Sequence, residues 1–374
     1  MPRKTWWSLA ALAVTVALVA AGCGSSNNSS TSTSGGAAAS TSGGGGKVNG
    51  SIAVLLPDTQ SSVRWEQFDR KYLDQAFTAA GIKHTITNAQ GDPGTQRTQA
   101  EQALTNGAKV ILLVDLDPGS GKSIIQLAHA RGAKVIDYDR LTLGGGADYY
   151  VSFDNVKVGK LQGQGLVNCI KQQGIKNPTV AELNGSPTDN NATLFAQGYN
   201  SVLKPMYANG TFKKGPNQSV PDWDNQKALT IYEQMLQSTK NNIQATLAAN
   251  DGLANSVISA ETSHKVKYVP VTGQDATSQG IQHILAGQQC MTVYKAVKKE
   301  ADAAAQVAIA LAKGQTPNAP AQTKNGSQMT PSVLLTPVAV TKKNINQTVI
   351  KDGFLTKSQI CVGQFAKDCA KAGL

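Results

Sequence analysis

Short, mostly apolar runs recur along this chain, and each stops abruptly at residues suited to hydrogen bonding. Ile52–Leu56 leads into Ser61–Trp65, Val110–Val114 into Asp115, and Val135–Ile136 into Asp137-Tyr138-Asp139-Arg140. Further on, Val180–Leu183 leads to Asp189-Asn190-Asn191, Thr246–Ala249 to Asn250-Asp251, and Lys267–Val271 to Gln274-Asp275. The pattern predicts strands near 51–56, 84–88, 109–114 and 133–138, with helices near 63–80, 95–106 and 119–131 between them. Gly81, Gly107 and Gly132 follow those helices, as helix stops usually do. Strands alternating with helices imply βαβ units and a parallel sheet.

The rhythm then restarts. Strands are expected near 179–184, 244–249 and 267–272, with helices near 155–173, 190–204, 225–238, 251–263, 276–286 and 295–313. Two such halves make two α/β lobes with a crevice between their strand ends, where ligands of open α/β sheets sit. Asp, Asn, Arg and Trp placed repeatedly at those ends suit a small polyol.

The N-terminus supplies an address. Arg3 and Lys4 precede an apolar stretch from Trp6 to Ala21, and Ala20-Ala21-Gly22 leads to Cys23. This reads as a secretory signal over 1–22, too short for a membrane span. Small residues abutting a cysteine resemble the bacterial lipoprotein cleavage box, which makes Cys23 the lipid-bearing first residue of the mature chain. Gly24–Gly46 contains only Gly, Ser, Asn, Thr and Ala. It cannot bury apolar surface, so 23–47 reads as a disordered tether with an r.m.s. reach of roughly 25 Å. The protein is thus expected to be exported and lipid-anchored on the outer face of the bacterial cell membrane.

Formal charge is +11, and no basic run exceeds the Lys-Lys pairs at 213–214, 298–299 and 342–343. Scattered charge argues against nucleic-acid binding. Cys169, Cys290, Cys361 and Cys369 form an even set, which permits two disulfides in an exported protein. Cys361 and Cys369, close in sequence, are paired; Cys169 and Cys290 are then either a second pair or buried thiols. His84, His129, His264 and His283 share no ligand spacing, so no metal is expected. Gly119-Ser120-Gly121-Lys122-Ser123 lacks the earlier P-loop glycine, since Leu116 holds that place. Neither G-x-S-x-G nor H-E-x-x-H occurs, so no enzyme activity and no cofactor are expected.

Two tryptophans of the mature chain, Trp65 and Trp223, sit among charged neighbours rather than in apolar runs. An aromatic face suits the flat C–H face of a pyranose, and two rings from opposite lobes would sandwich a sugar. Sugar hydroxyls both donate and accept. Asp139, Asp251 and Asp275 are candidate acceptors, Arg64, Arg140 and Lys295 candidate donors, and Asn190, Asn191 and Asn250 candidates for both. The bland alternative for the Asp and Asn positions is helix capping.

Several motifs then appear in order: Ser62-Val63-Arg64-Trp65, Tyr138-Asp139-Arg140, Ser152-Phe153-Asp154-Asn155, Asp189-Asn190-Asn191-Ala192, Gly273-Gln274-Asp275-Ala276 and Met291-Thr292-Val293-Tyr294-Lys295. Over about Val48 to Asn346 the chain resembles the D-xylose-binding proteins of bacterial ABC importers and related aldose-binding proteins. The resemblance implies two doubly wound parallel-sheet lobes joined by a three-segment hinge, the type I periplasmic binding protein fold. Lobe 1 would comprise 48–153 plus 294–332, and lobe 2 would comprise 154–293 plus 333–374. It also implies a sugar site formed by Arg64, Asp139, Arg140, Asn190, Trp223, Asn250, Asp275 and Lys295, with Trp65 beside them.

The function implied is that of a monomeric receptor that captures a monosaccharide and delivers it to a permease powered by separate ATPase subunits. D-xylose is the expected sugar. Glucose, galactose, arabinose and ribose are the alternatives, because Asn250-Asp251-Gly252-Leu253 also matches glucose/galactose-type receptors; a sensor kinase is the alternative partner. A sugar-responsive transcription regulator, which shares this core, would need a DNA-binding segment where the signal and tether stand.

Overall fold

The computed structural model describes residues 50–374. The signal segment, Cys23 and the tether up to residue 47 lie outside the described residues.

The first lobe is built from β1 (Ser51–Leu56), α1 (Arg70–Ala79), β2 (His84–Asn88), α2 (Pro93–Thr105), β3 (Ala108–Leu113), α3 (Pro118–Ala130), β4 (Lys134–Tyr138) and β5 (Tyr149–Phe153). Successive strand residues point to opposite faces, so a sheet covered on both sides needs apolar residues throughout. β1 shows this directly. Ile52, Val54 and Leu56 join Leu73 and Phe77 in one core, while Ala53 and Leu55 join Ile124 and Ala128 in another on the opposite face.

The second lobe follows with α4 (Asn155–Gln172), β6 (Thr179–Asn184), α5 (Asn190–Ala208), β7 (Lys213–Ser219), α6 (Asn225–Ser238), β8 (Ala245–Ala248), α7 (Asp251–Ser263), α8 (Ser278–Ala286) and β9 (Thr292–Tyr294). Its sheet runs β7-β6-β8 in parallel. The expected strand at 267–272 is reduced to a single bridge, Thr246 with Val271. Pro270 offers no amide for a ladder, although its carbonyl still accepts from the Thr246 amide at 2.9 Å.

The chain then returns. α9 (Val297–Ala312) packs on the first sheet, and β10 (Ala321–Asn325) and β11 (Gln328–Leu335) complete it in the order β10-β11-β5-β4-β3-β1-β2. β11 runs past residue 332, the expected limit of the first lobe, because Leu334 and Leu335 still pair with Ser152 and Phe153. β12 (Val338–Val340) then pairs with β9. The backbone therefore passes between the sheets at 153–155, 294–297 and 335–338.

The tail carries two short helices, α10 (Lys357–Ile360) and α11 (Ala366–Lys371). Phe354, Ile360 and Cys369 pack with Ile281, Ile284 and Leu285 of α8. Phe354 also stacks on Phe68 of the first lobe, with ring centroids 4.3 Å apart. Cys361 and Cys369 form a disulfide with a Cα–Cα separation of 5.7 Å, and Cys169 and Cys290 form another at 6.4 Å. Among the described residues no helix is long and apolar enough to cross a membrane, and no cluster could hold a metal ion.

Candidate functional site

The loops at the carboxyl ends of both sheets converge on one narrow cavity between the lobes, with about 30 Å³ of free space. The loop after β1 contributes Ser61, Ser62, Arg64 and Trp65, and the loop after β4 contributes Asp139 and Arg140. From the other lobe come Asp189, Asn191 and Phe195 around the start of α5, Trp223 ahead of α6, Asn250 ahead of α7, and Gln274 and Asp275 ahead of α8. Lys295 reaches in from the hinge segment after β9.

Several of these residues hold backbone conformations that side chains rarely adopt. Asp139 (φ 62°), Trp223 (φ 56°) and Asp275 (φ 94°) all lie in the positive-φ region. Such geometry costs on the order of 1–3 kcal/mol per residue and persists only where the surroundings over-determine it. At Asp139 they do. Its amide donates to Val151 O at 2.8 Å, and its carbonyl accepts from Ser152 Oγ at 2.8 Å, Asn191 Nδ2 at 3.1 Å and Tyr150 Oη at 3.2 Å. At Asp275 the amide donates to Val293 O at 2.9 Å, which ties the loop to β9.

A buried ionic network underlies the cavity. Arg64 binds Asp69 with Nε and Nη2 at 2.8 and 2.7 Å, Glu300 with Nη2 at 2.6 Å, and Asp139 with Nη1 at 2.7 Å. Lys295 Nζ donates to the same Asp139 Oδ2 at 2.9 Å. Burial by itself would raise the Asp139 carboxyl, but the Lys295 and Arg64 charges outweigh it and hold the group well below the usual range. Burial raises Asp275 despite Lys295 and Arg64, and raises Asp189 despite Arg140. Buried charges of this kind contribute little net stability; what they supply is rigid orientation of polar groups in a low-dielectric cleft.

Counting hydrogen-bond capacity separates the braces from the groups left for a ligand. Arg64 and Asn191 are committed: Arg64 to three carboxylates, and Asn191 to Asn155 and Asp139. Lys295 has three donors and spends one on Asp139. Among the described residues Asp275 accepts only from Ser62 Oγ at 3.2 Å and Gln274 Nε2 at 3.0 Å, leaving lone pairs in hand. Gln274 Oε1 is buried without a partner among the described residues. Arg140 donates to Asp115 O at 3.0 Å and Ser61 Oγ at 3.2 Å and pairs with Asp189 at 3.3 Å, which leaves part of its fork unspent. Lys295, Arg140, Asp275 and Gln274 thus offer donors and acceptors together, as a polyol requires.

Both tryptophans line this cavity. Trp65 Nε1 donates to Ser61 Oγ at 3.0 Å, and the Arg64 guanidinium lies 4.6 Å from its ring. Trp223 Nε1 donates to Asp189 Oδ2 at 3.1 Å. Its ring lies against Gly185, where a Cβ would come within 2.0 Å of it, so only glycine leaves that ring its place.

Two expected residues are not brought to the cavity. Asn190 is the first residue of α5, half-buried and not part of the cavity lining, whereas Asn191, also expected, lines it. Asp251 is fully buried below the cavity. Its carboxylate accepts from the Thr277 amide and Gln289 Nε2, both at 2.8 Å, and so braces the α7–α8 junction.

Asp189, Gln274, Ser61, Ser62 and Phe195 are lining residues outside the expected set. Asp189 and Gln274 stood one place from expected residues in Asp-Asn-Asn and Gln-Asp, so the motif pointed at them without resolving which side chain turns inward. Capping also sorts differently from expectation. Asn250 does cap α7 through Leu253 N at 2.8 Å, whereas α8 is capped by Thr277 and not by Asp275.

Comparison with known proteins agrees with this geometry. Residues 52–316 match the periplasmic binding protein domain. The D-xylose-binding periplasmic protein of Haemophilus influenzae is 40% identical over 298 residues, covering 79% of this chain and 88% of the relative. The multiple sugar-binding periplasmic receptor ChvE of Rhizobium radiobacter is 33% identical, over 83% of this chain and 92% of that one. Among solved structures, a carbohydrate transporter solute-binding protein from Chloroflexus aurantiacus in complex with D-glucose superposes with a TM-score of 0.76 at 29% identity, covering 82% of this chain and 97% of that one. The chain therefore belongs to the periplasmic binding protein family of solute receptors, and its two lobes are the type I fold of that family.

Proposed function

We propose that this protein is the extracytoplasmic receptor of an ABC sugar importer, and that it captures an aldose, D-xylose first, between its lobes. The observation that carries the reading is the unspent hydrogen-bonding capacity of Lys295, Arg140, Asp275 and Gln274 around one small interlobe cavity flanked by Trp65 and Trp223. The D-xylose-binding relatives from Haemophilus influenzae and Escherichia coli, at 40% and 38% identity, support the choice of sugar.

A ligand touching both lobes favours the closed arrangement over the open one by the free energy of those contacts. Closure removes water, so the charged hydrogen bonds strengthen. The moving bodies are residues 50–153 plus 294–335 against 154–293 plus 336–374. The closed receptor then presents to a permease worked by separate ATPase subunits, and acts as a monomer held to the membrane through lipid on Cys23.

Glucose is the second reading. Two structural relatives at TM-score 0.76 carry D-glucose and β-D-glucose, and the Rhizobium relative is named for multiple sugars. Calorimetry with D-xylose, D-glucose, D-galactose, L-arabinose and D-ribose tests both. D-xylose is expected to bind with micromolar or tighter affinity, about −8 kcal/mol. Equal affinity for glucose would shift the assignment to a broader aldose receptor, and failure of every sugar would overturn the receptor reading.

A further inference from the structure

The sugar cavity is not the end of the cleft. Beyond Arg140 and Asp189 lies a second space of about 460 Å³, open to solvent, that shares Arg140, Asp189 and Trp223 with the first. The Trp223 ring therefore spans the boundary between the two. Ser186 and Thr188 from the second lobe, and Gln60 and Gln90 from the first, line this vestibule with hydroxyl and amide groups. Its charge is one-sided. Asp58, Asp117, Asp222 and Asp224 face it, against Arg140 and Lys227, and Lys227 is already paired with Asp222 at 2.8 Å. These carboxylates are otherwise occupied: Asp117 and Asp224 cap α3 and α6, and Asp58 accepts from the Gln60 and Ser61 amides. They hold a negative field at the vestibule rather than a coordination shell.

We propose that this vestibule is a subsite for a neutral substituent carried by the bound sugar, the second unit of a short disaccharide, and that its field excludes anionic substituents. This rests on the reading of the inner cavity as an aldose site. Trp223 lines both cavities, so an aromatic side chain stands where an inner and an outer sugar ring would meet. The hydroxyl and amide lining meets the outer ring without burying any group unpaired. Because the space already opens to solvent, a substituent there displaces water instead of clashing with protein, whereas added bulk inside the inner cavity meets packed walls. A phosphate or carboxylate entering the vestibule meets like charges in a partly desolvated place, which opposes it.

The test is calorimetry with D-xylose, β-1,4-xylobiose and α-D-xylose 1-phosphate on the full-length protein, repeated for glucose and cellobiose. Xylobiose is expected to bind within about tenfold of xylose, and the phosphate at least about a hundredfold more weakly. Leu116→Trp and Thr188→Trp fill the vestibule from opposite lobes at positions that are not part of the inner cavity's lining. Each should weaken xylobiose about tenfold or more relative to xylose. Tight binding of the monosaccharide with no detectable disaccharide binding would overturn the subsite alone. So would a disaccharide-to-monosaccharide ratio that neither tryptophan variant moves. If no monosaccharide binds either, the inner-site reading falls and the subsite falls with it.

Discussion

Arg140 of one lobe and Asp189 of the other meet across the cleft, with Nε and Oδ2 3.3 Å apart and both side chains buried. Each is held from its own side: Arg140 by Asp115 O and Ser61 Oγ, Asp189 by the Asn191 amide and Trp223 Nε1. Because the pair spans the cleft, parting the lobes would break it. Asp189→Asn keeps a cap for α5 but removes the charge, leaving Arg140 short of its partner. Truncating one member of a buried charge pair acts mainly on dissociation. Release of bound sugar, followed by stopped-flow tryptophan fluorescence, should speed up at least about tenfold; an unchanged rate would mean the pair plays no part in holding the lobes together.

Asp275 accepts weakly from Ser62 and Gln274, while Thr277 caps the following helix. Asp275→Ala should therefore weaken sugar binding at least about tenfold and leave the melting temperature of the unligated protein nearly unchanged. The opposite outcome, a stability loss of about 1 kcal/mol with affinity intact, is what a helix cap would give. Measuring both quantities on one variant separates the roles.

Far from the cleft, burial pushes the Glu261 carboxyl up to about 8, against hydrogen bonds from the Val269 backbone and Tyr232 that lower it. Its Oε2 is buried with no partner among the described residues. An unfolded glutamate titrates near 4.3, so between there and about 8 the folded state holds the extra proton. Stability must then fall as pH rises through that window. Glu261→Gln should flatten the dependence, matching the wild type near pH 5 and exceeding its melting temperature at pH 8.5. Parallel melting curves for the two proteins across that range would be the contrary result.

The two disulfides close loops of very different length, with sequence separations of 121 for Cys169–Cys290 and 8 for Cys361–Cys369. Loop-closure entropy grows with loop length, giving roughly 2–4 kcal/mol for a typical bridge. The paired variant Cys169→Ser/Cys290→Ser should lower the denaturation midpoint more than Cys361→Ser/Cys369→Ser. Equal losses, or the reverse order, would show that local packing of the tail outweighs chain entropy.

Anchoring is tested on Cys23. Cys23→Ser, expressed with the native signal, should appear in the medium instead of the membrane fraction on cell fractionation. Retention in the membrane would point to some other attachment.

β1, β3 and β4 were legible because each is largely buried on both faces, which forces apolar runs such as Ile52–Leu56, whereas β5 and β11 of the same sheet were not read. β7 and β10 were not, because Lys213–Ser219 and Ala321–Asn325 are polar strands at sheet edges. An edge strand's backbone pairs on one side whatever its side chains are, so it leaves no hydrophobic period to read. β9 and β12, three residues each, are too short to show one.

The site divides the same way. Apolar runs and polar stops by themselves placed Asp139, Arg140, Asn250 and Asp275 at strand ends, because side-chain period and strand direction are local properties; Trp223 follows the polar strand β7 and was marked only by its charged neighbours. Which neighbour in Asp-Asn-Asn points inward, and whether Asp251 or Asp275 meets a ligand, was decided by helix phase and by the packing of α7 against α8. So was the division of Arg64 and Lys295 into brace and donor, which depends on Asp69, Asp139 and Glu300. Those carboxylates are scattered along the chain and meet only in the folded protein, since a buried charge finds its partners in space and not in sequence.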